Sequence, residues 1–174
     1  MPTLSPTDIA PGFDDPLGML AACHLRIRDK LATLARLQRH VPENGSDSEA
    51  RAAARGLLRY FDGAAPNHHA DEERSLFPRI AARAPDARPL LEALQNEHRM
   101  LDAHWRRLRP LLSGIVAGQR AVLPPRDVRD LLDLYGMHLA REDDVLLPLA
   151  QDVFDAEVLA DIGREMAARR ETLR

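Results

Sequence analysis

Six side chains in this 174-residue sequence have the types and spacing that metal chemistry needs. Residues 68–78 read HHADEERSLFP, and residues 138–148 read HLAREDDVLLP. Aligned without a gap at an offset of 70, they share His, Ala, Glu, Leu and Pro at the first, third, fifth, ninth and eleventh positions. Each therefore contains His-x-x-x-Glu. Four residues turn an α-helix by about 400° and raise it by about 6 Å, so His68 and Glu72 share one helix face, as do His138 and Glu142. His24 and His98 stand 74 apart and precede the two motifs by 44 and 40 residues. The chain reads as two related halves, each offering one His and then a His-x-x-x-Glu.

A single such pair on a solvated helix is usually a surface contact worth a few tenths of a kcal/mol. Two copies with the same trailing Leu and Pro, plus a histidine at a parallel offset, point to one shared site. Four imidazoles and two carboxylates are too many donors for one ion with open positions. They suit two ions, each taking two imidazoles and an oxygen from each of two bridging carboxylates. This donor set points to iron, then manganese, whereas zinc usually takes fewer ligands. Buried without metal, the same six groups would be strongly destabilising.

Other residues are weighed against these. His69 and Glu73 have the same spacing as His68 and Glu72 but are rotated by about 100°. The second repeat has Leu139 and Asp143 there, so His68 is favoured and His69 reads as a polar neighbour. Asp102, one turn beyond His98, is an extra oxygen ligand or a partner for an imidazole N–H. His69, Glu73 and Asp102 thus stand as secondary metal candidates. Tyr135 and Trp105 read as core, and His40, His104 and Cys23 as outside the site.

Elements must exist to position these groups. Apolar residues at helical steps (Leu20, Ile27, Leu31, Leu34, Leu37) predict a helix over about 17–40. VPENGSDS (41–48) reads as a turn with helix N-caps. A second helix is predicted over 49–83, kinked or split by Gly63 and Pro66. APDARP breaks the chain at 84–89, a third helix covers 89–117, GQRAVLPP (118–125) is a loop, and a fourth helix runs to about 153. A short fifth helix spans about 156–170. Four long helices with short connections predict an all-α, up-down-up-down bundle with the fifth packed outside. The expected divisions are a Pro-rich segment at 1–16, the bundle at 17–153 and the C-terminal helix at 154–174. Counting along helices about the 84–86 turn sets Glu72 level with His98; across the other two loops the match is looser by about 7 Å.

Composition agrees. Leu (27) and Ala (26) abound, while Val, Ile and Thr total only 16, a poor basis for a sheet. The net charge of −3 offers no basic excess for a nucleic-acid partner. One Cys against seven His excludes an intrachain disulfide framework and directs metal chemistry to imidazole and carboxylate. Residues 1–16 have four prolines and three aspartates but no apolar stretch, and no run of eighteen apolar residues occurs, so a soluble cytoplasmic protein without a membrane partner is expected.

His24, HHADEERSLFP, the NEHRML around His98 and HLAREDDVLLP together resemble the hemerythrin-like, or HHE cation-binding, family over roughly residues 17–153. The resemblance implies a four-helix bundle holding two iron ions, with manganese or zinc as alternatives. Its implied ligands are His24, His68, Glu72, His98, His138 and Glu142, the two glutamates bridging. Oxygen-carrying hemerythrins place two His four apart on the third helix, where this sequence has His98 and Asp102. Their fourth-helix pair is His-x-x-x-x-Asp, and here it is His138-x-x-x-Glu142. Both departures speak against a simple reversible oxygen carrier. The His spacing of 44, 30 and 40 is closer to the hemerythrin-like domain of iron–sulfur cluster repair proteins, whose N-terminal Cys-bearing domain has no counterpart in these 174 residues. The expected function is binding of O2, NO or peroxide at an open metal position, in sensing, iron handling or iron-centre repair. The alternatives are a di-iron oxidase or peroxidase using the same ligands, and a metal-free helical interaction module. The redox partner and a homodimeric state are left open.

Overall fold

The computed structural model describes residues 11–119 and 122–171. The first ten residues of the expected Pro-rich segment, two residues of the loop expected at 118–125, and the last three residues of the chain lie outside that description. The described residues form five helices and no strands. Helix α1 is Pro16–Asn44, opened by Asp15, whose carboxylate accepts from the Gly18 N–H. Helix α2 runs continuously over 48–83, and its cap, Asp47, accepts from the Ala50 N–H at 2.8 Å. After a 3₁₀ turn at Pro85–Ala87 comes α3, Arg88–Val116, then α4 over 125–153 and α5, Ala156–Glu171.

Helix α1 is longer than expected and carries Pro42 inside its last turn. A proline there loses only one hydrogen bond of a helix about to end, and the Gly45 N–H closes onto the Val41 carbonyl. Gly45 then leaves the helix at φ 66°, a conformation glycine adopts without strain.

The kink expected at Gly63 and Pro66 takes the form of a π turn at Tyr60–Ala64. Two more π turns occur, at Glu72–Leu76 and Glu142–Leu146. In all three a proline stands six residues after the first turn residue: Pro66, Pro78 and Pro148. The widened turn is closed by the N–H of Ala65, Phe77 or Leu147 on the carbonyl of its first residue. The proline follows, where the ladder has already slipped and a missing N–H is tolerated.

Helices α1 to α4 each pack on their sequence neighbours, and α4 closes back on α1, giving the up-down-up-down bundle. Helix α5 lies outside, against α1 and the middle of α2. Its Ile162 and Met166 are fully buried, Arg79 pairs with Glu165, and Arg169 and Arg170 both reach the buried Asp71. No described helix is long and apolar enough to cross a membrane.

The apolar core comes in two parts. One gathers Ile27, Leu34, Leu57, Leu108, Leu112 and Leu131 with their neighbours; the other gathers Leu20, Leu76, Ile80, Leu94, Leu146 and Ile162. Along each of the four helices the boundary between them falls at His24, at His68–Glu72, at His98 and at His138–Glu142. A polar layer therefore crosses the bundle between two apolar ends.

Candidate metal centre

His24, Glu72, His138 and Glu142 are fully buried, and His68 and His98 are nearly so. Each of the four bundle helices contributes one of these histidines to the layer, and α2 and α4 add a glutamate one turn further on. Both glutamates are the first residues of π turns.

The glutamates face two ways. Glu72 Oε1 lies 3.5 Å from His68 Nε2 and 3.9 Å from His24 Nε2, while its Oε2 lies 3.3 Å from His98 Nε2. Glu142 Oε2 is 3.2 Å from His24 Nε2, and its Oε1 is 3.0 Å from His138 Nε2 and 3.6 Å from His98 Nε2. Each carboxylate thus turns one oxygen to the His24/His68 side and the other to the His98/His138 side. Donor atoms of His24, His68, Glu72 and Glu142 all lie within 4.8 Å of one another, and so do those of His69, His98 and His138.

None of the inward-facing atoms is satisfied. The Nε2 atoms of His24, His68, His98 and His138 and all four glutamate oxygens are buried without a well-formed hydrogen bond. Buried polar atoms are normally paired, because an orphan costs about 1–3 kcal/mol and a charged one more. Eight such atoms converging from six side chains fit a cation site, and imidazole with carboxylate is a donor chemistry that suits it.

Electrostatics carry the same imprint. Burial opposes protonation of His24 and His98, but the facing Glu142 and Glu72 carboxylates outweigh it and hold both at about 10. His138 is likewise raised, by Glu142, against burial. Burial and the neighbouring Glu142 would raise Glu72, yet His68, His24 and His98 hold it down at about 2. Glu142 is held well below the ordinary range by His138, His24 and His98, against its burial. His68 is lowered, chiefly by burial.

Three of the four imidazoles are held from behind. His24 donates its Nδ1–H to Asp143 at 2.6 Å, and Arg28 fixes the other Asp143 oxygen at 2.7 Å. His98 Nδ1 donates to Glu73 at 2.7 Å. His138 Nδ1 donates to Glu97 at 2.9 Å, and Glu97 is also paired with Arg141. Such bonds fix which ring nitrogen carries the proton and leave Nε2 free to face inward.

The six primary candidates of the sequence are thus brought together. The secondary candidates separate. His69 is partly buried, with an Nε2 that is fully buried and unpartnered, its ring stacked 4.0 Å from that of His98. Burial holds it well below the ordinary histidine value. Glu73 stands behind His98. Asp102 is half-exposed and pairs with Arg106 at 2.5 Å, and it lines one cavity with His69. His40 pairs with Asp47, far along α1. Trp105 and Tyr135 are core residues packed on Phe61, with the Trp105 indole N–H donating to Asp62.

Sequence reasoning missed Asp143 and Glu97. The signal for Asp143 was present: it occupies the position in the second repeat that Glu73 occupies in the first. Glu97 directly precedes His98, and adjacency in a helix conceals that it serves a histidine 41 residues away.

Fold and site together define a four-helix bundle with a buried cluster of histidines and glutamates able to hold metal. The sequence model of the hemerythrin HHE cation-binding domain matches residues 15–150. The chain belongs to that family, whose members bind metal ions. An uncharacterized protein of Haemophilus influenzae is 28% identical over 171 residues, which is 98% of this chain and 98% of that protein.

Proposed function

We propose that this is a hemerythrin-like, non-haem di-iron protein that binds dioxygen, nitric oxide or a peroxide, and acts in sensing, iron handling or iron-centre repair. The observation that carries the reading is the two-way orientation of Glu72 and Glu142, each with one oxygen toward either imidazole group. His24 and His68 would hold one ion, His98 and His138 the other, with the glutamates shared and His69 beside the second. Two iron ions there would supply small-molecule binding and electron transfer, with coordination positions left free. The chain's residues hold and orient the donors, exclude bulk water through the apolar ends, and keep the Nδ1 protons of His24, His98 and His138 in place.

The size of the adjoining space supports a small ligand. A cavity of about 30 Å³ reaches His69, lined by Phe61, Ala65, Pro66, Leu101, Asp102, Trp105 and Tyr135. The space leaves room for a small molecule beside His69. A metal-free interaction module is disfavoured, because it would leave eight buried polar atoms without a well-formed hydrogen bond.

Anaerobic reconstitution of the full chain with ferrous iron, followed by metal analysis, tests the proposal. Two irons per chain are expected, with uptake reduced in His68→Ala. Fewer than two irons, or unchanged uptake in that variant, would overturn it.

A further inference from the structure

The two halves of the repeat correspond in the carboxylates behind their histidines as well as in their donors, with one exception. Asp143 follows Glu142 and backs His24, the lone histidine of α1. Glu73 follows Glu72 and backs His98, the lone histidine of α3. Glu97 precedes His98 and backs His138 of the α4 motif. Symmetry would have the residue preceding His24 back His68 of the α2 motif. That residue is Cys23, which is half-buried and carries no carboxylate. His68 Nδ1 is accordingly buried and has no hydrogen-bond partner.

We infer that the two metal positions are unequal, the His98/His138 position binding first and tightly and the His24/His68 position binding second and weakly. The inference rests on the two-ion reading above. A carboxylate behind a metal-bound imidazole raises its donor strength and fixes its orientation, and loss of such a partner typically weakens metal binding by about 10–100-fold. The His98/His138 position has two such carboxylates, and the third imidazole of its group, His69, presents an unpartnered Nε2. The His24/His68 position has one. The difference of one carboxylate sets a separation of at least about tenfold between the two affinities.

In this account Glu73, Glu97 and Asp143 are positioning residues, each acting through one histidine. Glu73 and Asp143 are partly solvent-exposed, so their isosteric amides should leave the fold intact.

The experiment is a calorimetric and visible-absorption titration of the metal-free full chain with cobalt(II). Wild type is expected to take two ions in two resolved steps with distinct cobalt spectra. Glu73→Gln and Glu97→Gln should weaken the first step by about 10–100-fold, and Asp143→Asn should weaken only the second by a similar factor. Asp143→Glu should restore that second step. Melting of the metal-free variants verifies that each is folded. Two ions taken up at one shared affinity, or all three amide variants shifting the same step, would overturn this inference while leaving the di-iron reading standing. Absence of cobalt uptake in folded wild type would overturn both.

Discussion

Asp143 and His24 are 119 positions apart in the chain and 2.6 Å apart in the bundle, joined across α4 and α1 by a hydrogen bond that holds the imidazole from outside. The contact shows how little of the layer is local. Each histidine is set by a carboxylate from another helix or by none, so the outer shell forms only when all four helices have assembled.

Acid and alkali should each destabilise the metal-free protein, through different groups. His24 and His98 are raised from 6.5 to about 10 in the folded state. Their contribution to stability is full below about 6.5 and is lost as pH rises toward 10. Glu72 is lowered from 4.5 to about 2, so its contribution is full above about 4.5 and is lost as pH falls toward 2. His68 and His69, lowered by burial, add a loss as pH falls below about 6.5, so urea unfolding of the metal-free chain should show greatest stability near pH 6.5. Metal affinity has the opposite slope above that pH, because the imidazole protons must leave for metal to enter. A metal-free stability that climbs between pH 7 and 9 would contradict the assignment.

Glu142 faces three histidines from a fully buried position. Removing it in Glu142→Ala strands buried imidazolium without a counter-charge. The metal-free variant at pH 6 should lose about 3–5 kcal/mol by denaturant unfolding. A loss under about 1 kcal/mol would mean that the pairs are not formed in solution.

Gly163 is where the segment before α1 crosses α5. A Cβ at this position would lie 1.9 Å from the Phe13 carbonyl oxygen, a main-chain atom that cannot swing aside. Gly163→Ala should therefore cost about 1–3 kcal/mol, read by thermal unfolding. A neutral result would show that residues around Phe13 do not rest on α5.

Pro148 sits in a long helix without breaking it. A proline inside a regular helix costs about 3 kcal/mol, but here the π turn at Glu142–Leu146 has already released the bond that proline cannot make. Pro148→Ala should consequently stabilise the protein by well under that amount in denaturant unfolding. Recovery of the full ~3 kcal/mol would show that the wide turn gives no relief.

Much of this architecture was legible in the sequence, for physical reasons that can be named. The helices follow from Leu spacing, and later ends from the 84–89 break and Pro125, whereas α1 runs on through Pro42 to Asn44, past the end expected near residue 40. The six donors emerged because His-x-x-x-Glu is itself a statement about one helix face, and its repetition made chance a poor account. The π turns were not read, although Pro78 and Pro148 repeat the offset that Pro66 has, because proline announces a broken bond without saying how the ladder adjusts. The position of His69 was also hidden. Adjacent helical residues point about 100° apart, so sequence alone favours one or the other, whereas the ring packs on His98 and turns its nitrogen inward.

The polar layer that separates the two apolar clusters has a mechanical consequence. Without cations, the molecule is two small cores stacked end to end, with a sheet of buried charge between them. That plane is a seam. Bound ions would rivet it, so metal loading should be felt far from the donors as slowed hydrogen exchange in amides at both ends of every long helix, converting two loosely coupled folding units into one.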